Sequence, residues 1–158
     1  MKKFFVFLLT FFIMTSASFA EVPTLKGHVN DYANLLSAQQ ILDLDKKLVS
    51  YESKDGHPQV VVLTTPSIPD GDINAYASDV FHSWKLGQKG SDNGVLLIIA
   101  PNERKIRIEV GYGFEGTLTD GRSIQIIQTM KPFLKKGSEN WYQSLNTATD
   151  GIINVISK

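Results

Sequence analysis

Two short runs limit what this chain can fold into. Val60-Val61-Val62-Leu63-Thr64 is β-branched and apolar on both faces, and Gly94-Val95-Leu96-Leu97-Ile98-Ile99-Ala100 has no polar side chain. A strand with one face in water alternates apolar with polar residues, so runs that do not alternate need cover on both faces, as in the middle of an α/β sheet.

The flanking segments supply that cover. Ser37 and Gln40 form a capping box, with Leu36 and Ile41 placed as a staple, and Ile41, Leu44, Leu48 and Tyr51 follow at helical spacing until Asp55-Gly56 ends the pattern. A second helical stripe, Ile73, Tyr76, Ala77, Val80, Phe81 and Trp84, follows Asp70-Gly71-Asp72. Helical periodicity returns from about Thr119 to Lys136 and from Ser138 to Ser157, with Gly137 between them and Pro132 bending or ending the first. Lys105 to Val110 alternates strictly, which predicts a strand with one wet face. Its link to the preceding run, Pro101-Asn102-Glu103-Arg104, is too short for a crossover, so the two strands form an antiparallel hairpin. With a short strand near His28 to Asn30, the order predicts an α/β fold: a mixed sheet covered by helices on both faces.

The N-terminus has a different character. Lys2 and Lys3 precede an apolar stretch from Phe4 to Met14, and Ser18-Phe19-Ala20 offers small residues at a cleavage point, so residues 1–20 are expected to be a cleavable secretory signal. The stretch is shorter than the roughly 20 residues that span a bilayer. Residues 21–158 then make a single domain, expected in the periplasm or secreted, without a transmembrane anchor and monomeric. Loss of the leader removes Lys2 and Lys3 and no acid. It leaves 14 basic against 16 acidic side chains, a formal charge of −2, which argues against a nucleic-acid partner. With no Cys there are no disulfides, thiol nucleophiles or thiolate metal sites.

The hairpin register locates candidate chemistry. A turn centred near Asn102 and Glu103 sets Gly94 opposite Gly111 and Asp92 opposite Gly113. The loop Ser91-Asp92-Asn93-Gly94 and the loop from Gly111 to Asp120 then share one rim. Asp92, Asn93, Glu115 and Asp120, with backbone carbonyls, are the hard oxygen donors that Ca2+ or Mg2+ prefers. The same residues also suit plain structural roles, Asp92-Asn93-Gly94 as a tight turn and Thr119 or Asp120 as a helix cap.

Other patterns carry less. Gly111-Tyr112-Gly113-Phe114-Glu115-Gly116 has dinucleotide-loop spacing, but the chain continues into helices where that fold needs a second strand ending in an acid. Asp70-Gly71-Asp72-Ile73-Asn74 lacks the remaining ligands of a calcium loop, and Asp72 suits a helix cap. His28, His57 and His82 show no zinc-ligand spacing, and no nucleophile-elbow or phosphate-loop motif is present.

Four ordered blocks give a resemblance. Gly27-His28-Val29-Asn30-Asp31-Tyr32-Ala33-Asn34-Leu35-Leu36, Phe81-His82-Ser83-Trp84-Lys85-Leu86-Gly87, Asp92-Asn93-Gly94-Val95-Leu96-Leu97 and Gly111 to Asp120 resemble the successive signatures of the TPM domain, over about Val22 to Ile156. The resemblance implies a three-layer α/β/α sandwich and an acidic cluster at Asp31, Asp92, Asn93, Glu115 and Asp120; Asp31 enters only through it. Members of that family include thylakoid proteins described as acid phosphatases, Ca2+-binding proteins and a receptor accessory protein. Many bacterial members continue into a transmembrane helix, whereas this sequence stops at Lys158.

Two functions are therefore expected. One is a non-catalytic module that binds a divalent cation, Ca2+ ahead of Mg2+, and docks on an envelope or membrane protein complex. The other is a metal-dependent phosphatase in which Asp31 or Asp92 orients water or acts as a base. The second lacks an identifiable nucleophile or Arg clamp, since Arg122 is the only arginine near the rim.

Overall fold

The computed structural model describes residues 21–54, 57–87 and 92–158. The leader of residues 1–20, the Asp55-Gly56 helix stop and Ser91 lie outside the described residues. In chain order the elements are β1 (Val29–Asp31), α1 (Ala38–Glu52), β2 (Gln59–Thr64), a 3-10 turn (Pro69–Gly71), α2 (Ile73–Ser83), β3 (Gly94–Ala100), β4 (Lys105–Val110), a second 3-10 turn (Tyr112–Phe114), α3 (Asp120–Met130), a third (Lys131–Phe133) and α4 (Trp141–Ile156).

The strands form one sheet in the order β1-β2-β3-β4. The first two neighbouring pairs are parallel and β3–β4 is antiparallel. Both apolar runs are central, and every residue of β3 is buried. Alternate residues feed two cores. Val60, Val62, Val95, Leu97 and Ile99 pack with Leu44 and Leu48 of α1, Ile126 of α3 and Leu145 and Ile152 of α4. Val61, Leu63, Leu96, Ile98 and Ala100 pack with Tyr76, Ala77 and Val80 of α2. The result is the expected three-layer α/β/α arrangement. The two crossovers, β1-α1-β2 and β2-α2-β3, step the same way across the sheet but lay their helices on opposite faces. They therefore have opposite hands, and one has the rare left-handed sense.

Capping places the helix starts. Ser37 and Gln40 make the reciprocal capping box of α1. Asp72 accepts from the Asn74 and Ala75 N–H groups at 2.9 and 3.1 Å, which settles its role as the cap of α2. Thr119 caps α3 and Asn140 caps α4. Two boundaries fall inside the expected spans. The helix expected to Lys136 stops at Met130, because Pro132 has no N–H to donate and its ring clashes with the preceding turn. The helix expected from Ser138 starts at Trp141, behind the Asn140 cap.

The wet face expected for β4 is only half so. Arg107 and Glu109 are half-buried and pair at 3.0 Å, because α2 packs against the same strand. Across the layer of α1 and α4, Lys47 Nζ donates to Asn146 Oδ1 (2.7 Å), Thr149 Oγ1 (2.7 Å) and Asp150 Oδ1 (2.8 Å). Among the described residues no helix is long and apolar enough to cross a membrane.

Two buried phenols give the fold a testable pH limit. Burial raises the pKa of Tyr51 and Tyr76 above the ordinary 10.0, more than hydrogen bonds with Ser157 and Thr65 lower it. The folded state thus keeps protons that the unfolded chain begins to release near pH 10, so stability falls as pH rises through that range. The melting temperature is expected to hold to about pH 9.5 and to drop above about pH 10, with a shallower drop in Tyr51→Phe.

Candidate functional site

The register places the two glycine-rich loops as the hairpin arithmetic predicts. Val95 pairs with Val110, the Gly111 N–H donates to the Gly94 carbonyl at 2.8 Å, and the Gly113 N–H donates to the Asp92 carbonyl at 3.1 Å. The contact is too close for any side chain. A Cβ at Gly111 would lie 2.1 Å from the Asp92 oxygen, and one at Gly94 would lie 2.7 Å from the Leu86 carbonyl carbon. Asp92 itself turns the chain with φ 43°, a left-handed conformation that Asp tolerates better than most residues.

After the weld, the Tyr112–Phe114 turn and the Leu118 N–H bond to the Phe114 carbonyl (2.8 Å) carry the chain to the Thr119 cap. Two adjoining cavities open along this rim. One, of about 490 Å3, is lined by His82, Lys85, Asp92, Glu109, Tyr112 and Glu115 among others. The next, of about 500 Å3, is lined by Arg107, Glu109, Glu115, Thr119 and Asp120 among others. Glu109 and Glu115 line both.

The five acidic-cluster positions do not converge as one group. Asp92 and Glu115 share the first cavity, and Glu115 and Asp120 share the second. Asn93 is buried and lines neither. Asp31 lies at the opposite edge of the sheet, level with Thr64 and Ile99, five residues along β3 from Gly94. At ~3.3 Å per residue that is a separation of roughly 17 Å. Its carboxylate is occupied locally: it accepts from the Leu35 N–H (3.1 Å), the Leu36 N–H (2.9 Å) and the Thr64 hydroxyl, and so pins the loop between β1 and α1 to β2.

Glu109 is the rim carboxylate that spacing alone did not single out. In the sequence it is one polar position of an alternating strand, and only the adjacency of β4 to the Glu115 loop brings it to the site. The donor chemistry, carboxylate and carbonyl oxygen, suits a hard cation. The donor number falls short: among the described residues no three His, Asp or Glu side chains stand close enough together to hold a metal ion. Lys85 also lines the cavity of Asp92 and Glu115, and Arg107 is paired with Glu109. Arg122 donates to the Thr117 carbonyl. Neither arginine is free to clamp a phosphate.

Positive charge collects elsewhere. Arg104, Lys105, Lys131, Lys135 and Lys136 line a third cavity, of about 830 Å3, beside the Ala100–Lys105 end of the hairpin. The β4 strand separates it from the acidic rim.

The sequence matches the TPM domain profile over residues 29–155. No curated protein sequence matches it. Among solved structures, the N-terminal domain of a P. gingivalis protein is similar with a TM-score of 0.72 and 30% identity, covering 82% of this chain and 81% of that one. The N-terminal domain of a Corynebacterium glutamicum protein (TM-score 0.62, 18% identity, 87% and 86% covered) shares the fold. So does the BA42 protein of Bizionia argentinensis (0.62, 19%, 77% and 81%).

The weld between the loops is open to test. Gly111→Ala drives a Cβ into the Asp92 carbonyl and is expected to cost about 3 kcal/mol or more in denaturant unfolding, at the upper end for overpacking. Gly116→Ala meets nothing within 4 Å and has no positive φ, so it should unfold like the parent protein.

Proposed function

The chain belongs to the TPM domain family, and from that premise we propose an exported envelope module that takes up a divalent cation, Ca2+ ahead of Mg2+, at the Asp92–Glu115 rim and docks on a membrane or envelope complex without catalysis. The single observation behind the reading is the glycine weld, which holds the Asp92 and Glu115 loops on one cavity with Glu109 beside them. Because that attachment is made by backbone groups, the carboxylates are left to a ligand.

An incomplete donor set favours a weak site completed by carbonyls and water, of the extracellular kind with Kd about 10⁻⁴ to 10⁻³ M. Ca2+ accepts six to eight oxygens in flexible geometry, whereas Mg2+ demands a near-ideal octahedron, hence the preference. Neutralising the two carboxylates would steady the loop that carries Tyr112. That side chain is 81% exposed and offers an aromatic contact beside the rim.

A phosphatase using Asp31 or Asp92 has less support. Asp31 is spent on its own loop, and most of the uncommitted cationic residues that phosphoryl chemistry relies on gather at the other end of β4.

Calorimetric and thermal-shift titration with Ca2+ tests the reading. Ten times the Kd should stabilise the protein by about 1.4 kcal/mol. Asp92→Asn and Glu115→Gln should abolish the response, while Asp31→Asn should lower the melting temperature and keep it. No heat and no shift at millimolar Ca2+ removes the cation. Release of phosphate from a generic ester, lost in Asp92→Ala, would favour the phosphatase instead.

A further inference from the structure

The 830 Å3 cavity has no part in the reading above, and its chemistry is of another kind. Its apolar lining is Ile106 of β4, Ile127 of α3, Leu134 beyond it and Trp141 at the start of α4, over the buried Ile99, with Ile73 of α2 reaching it from the other face of the sheet. Its size falls within the roughly 300–1,000 Å3 of small-molecule sites, and it opens past the carboxyl end of β3, an edge where α/β sheets commonly bind ligands.

The charge on its mouth is of one sign. Five basic side chains line it and no acid does. Two of the five hold the walls: Arg104 donates to the Leu134 carbonyl at 3.1 Å and lies 3.8 Å from Glu139, and Lys105 donates to the Gly71 carbonyl. The other three, Lys131, Lys135 and Lys136, are exposed and have no partner among the described residues. The Trp141 indole N–H likewise has no acceptor among the described residues. Three uncommitted ammonium groups and one uncommitted donor thus stand over a cavity of hydrocarbon.

We propose that this cavity binds an anionic amphiphile: a single aliphatic chain laid on the isoleucine floor, with a phosphate or carboxylate head held by Lys131, Lys135 and Lys136. The two halves of the site select the two halves of the ligand. An inorganic anion would leave the hydrocarbon exposed, and a neutral chain would leave the lysines without a counter-charge. The aliphatic floor suits a flexible chain better than a flat ring. The cations are lysines, point charges on long stems, and they accept either head group.

The test is a titration of the purified protein with dodecyl phosphate below its micellar concentration, followed by calorimetry and by Trp fluorescence. Saturable binding is expected, weakened by salt, with dodecanoate binding comparably. The fluorescence change should vanish in Trp141→Phe, which leaves Trp84 in place. Inorganic phosphate alone and an uncharged dodecyl maltoside should each bind at least about tenfold more weakly, the effect of losing roughly 1.4 kcal/mol. The triple variant Lys131→Gln, Lys135→Gln, Lys136→Gln should lose at least as much affinity with an unchanged melting temperature, since none of the three makes a contact that holds the fold.

Several results would overturn the proposal: no saturation, equal binding of the neutral detergent, inorganic phosphate as good as the amphiphile, or full affinity in the triple variant. Binding only to phosphatidylglycerol vesicles would also do so, because it would identify a membrane surface rather than a cavity ligand. The Ca2+ titration uses different residues, so failure at either site leaves the other judged on its own.

Discussion

Burial of β2 and β3 on both faces is the constraint from which the architecture follows. Odd residues of β3 belong to the core shared with α1, α3 and α4, and even residues to the core shared with α2. Neither core can be lost without opening the other through the strand they share. Each buried methylene is worth about 0.8 kcal/mol, and the two strands supply mostly β-branched and leucine side chains to a chain that has no disulfide. Because the strands step one way, β1-β2-β3, helices on both faces require crossovers of opposite hand, an arrangement that local chain twist disfavours.

A second constraint is the closeness of the backbone at the rim. Gly111 lets its loop approach the Asp92–Gly94 backbone to hydrogen-bonding distance where any Cβ would intrude, and Gly94 gives the same clearance to the Leu86-Gly87 segment. Because main-chain groups make the attachment, Asp92 and Glu115 need not be spent as caps or turn anchors. The contrast with Asp31, Asp72 and Thr119 is instructive. Each of those polar side chains satisfies backbone N–H groups, and each stabilises a loop or helix start.

Charge is divided along β4. Its first residue, Lys105, stands with the basic cavity, and Glu109 stands with the acidic rim. Four residue steps at ~3.4 Å set the two clusters roughly 14 Å apart, beyond the ~8 Å Debye length at physiological salt, so their fields are largely independent. A near-zero formal charge therefore conceals two local fields of opposite sign.

Much of the fold is legible in the sequence because its signals are local. The capping box at Ser37, the alternation from Lys105 to Val110, the four-residue hairpin link and the apolar runs each report a backbone preference that the tertiary structure does not override. The Gly94–Gly111 register follows from the same arithmetic. The site is legible only in part. Asp92, Glu115 and Asp120 come from loops that the hairpin brings near each other, but their division between two cavities depends on side-chain packing. Asp31 resembles its family counterpart in sequence, while the parallel pairing of β1, β2 and β3 sends it to the far edge. Glu109 and the five basic residues of the 830 Å3 cavity carry no motif, since they come from the hairpin turn, β4 and the segment between α3 and α4. Sequence alone determined which segments are strands, helices and close-packed turns, because those are set by neighbours along the chain. Only the tertiary structure decided which charges share a cavity, because that depends on contacts between segments far apart in sequence.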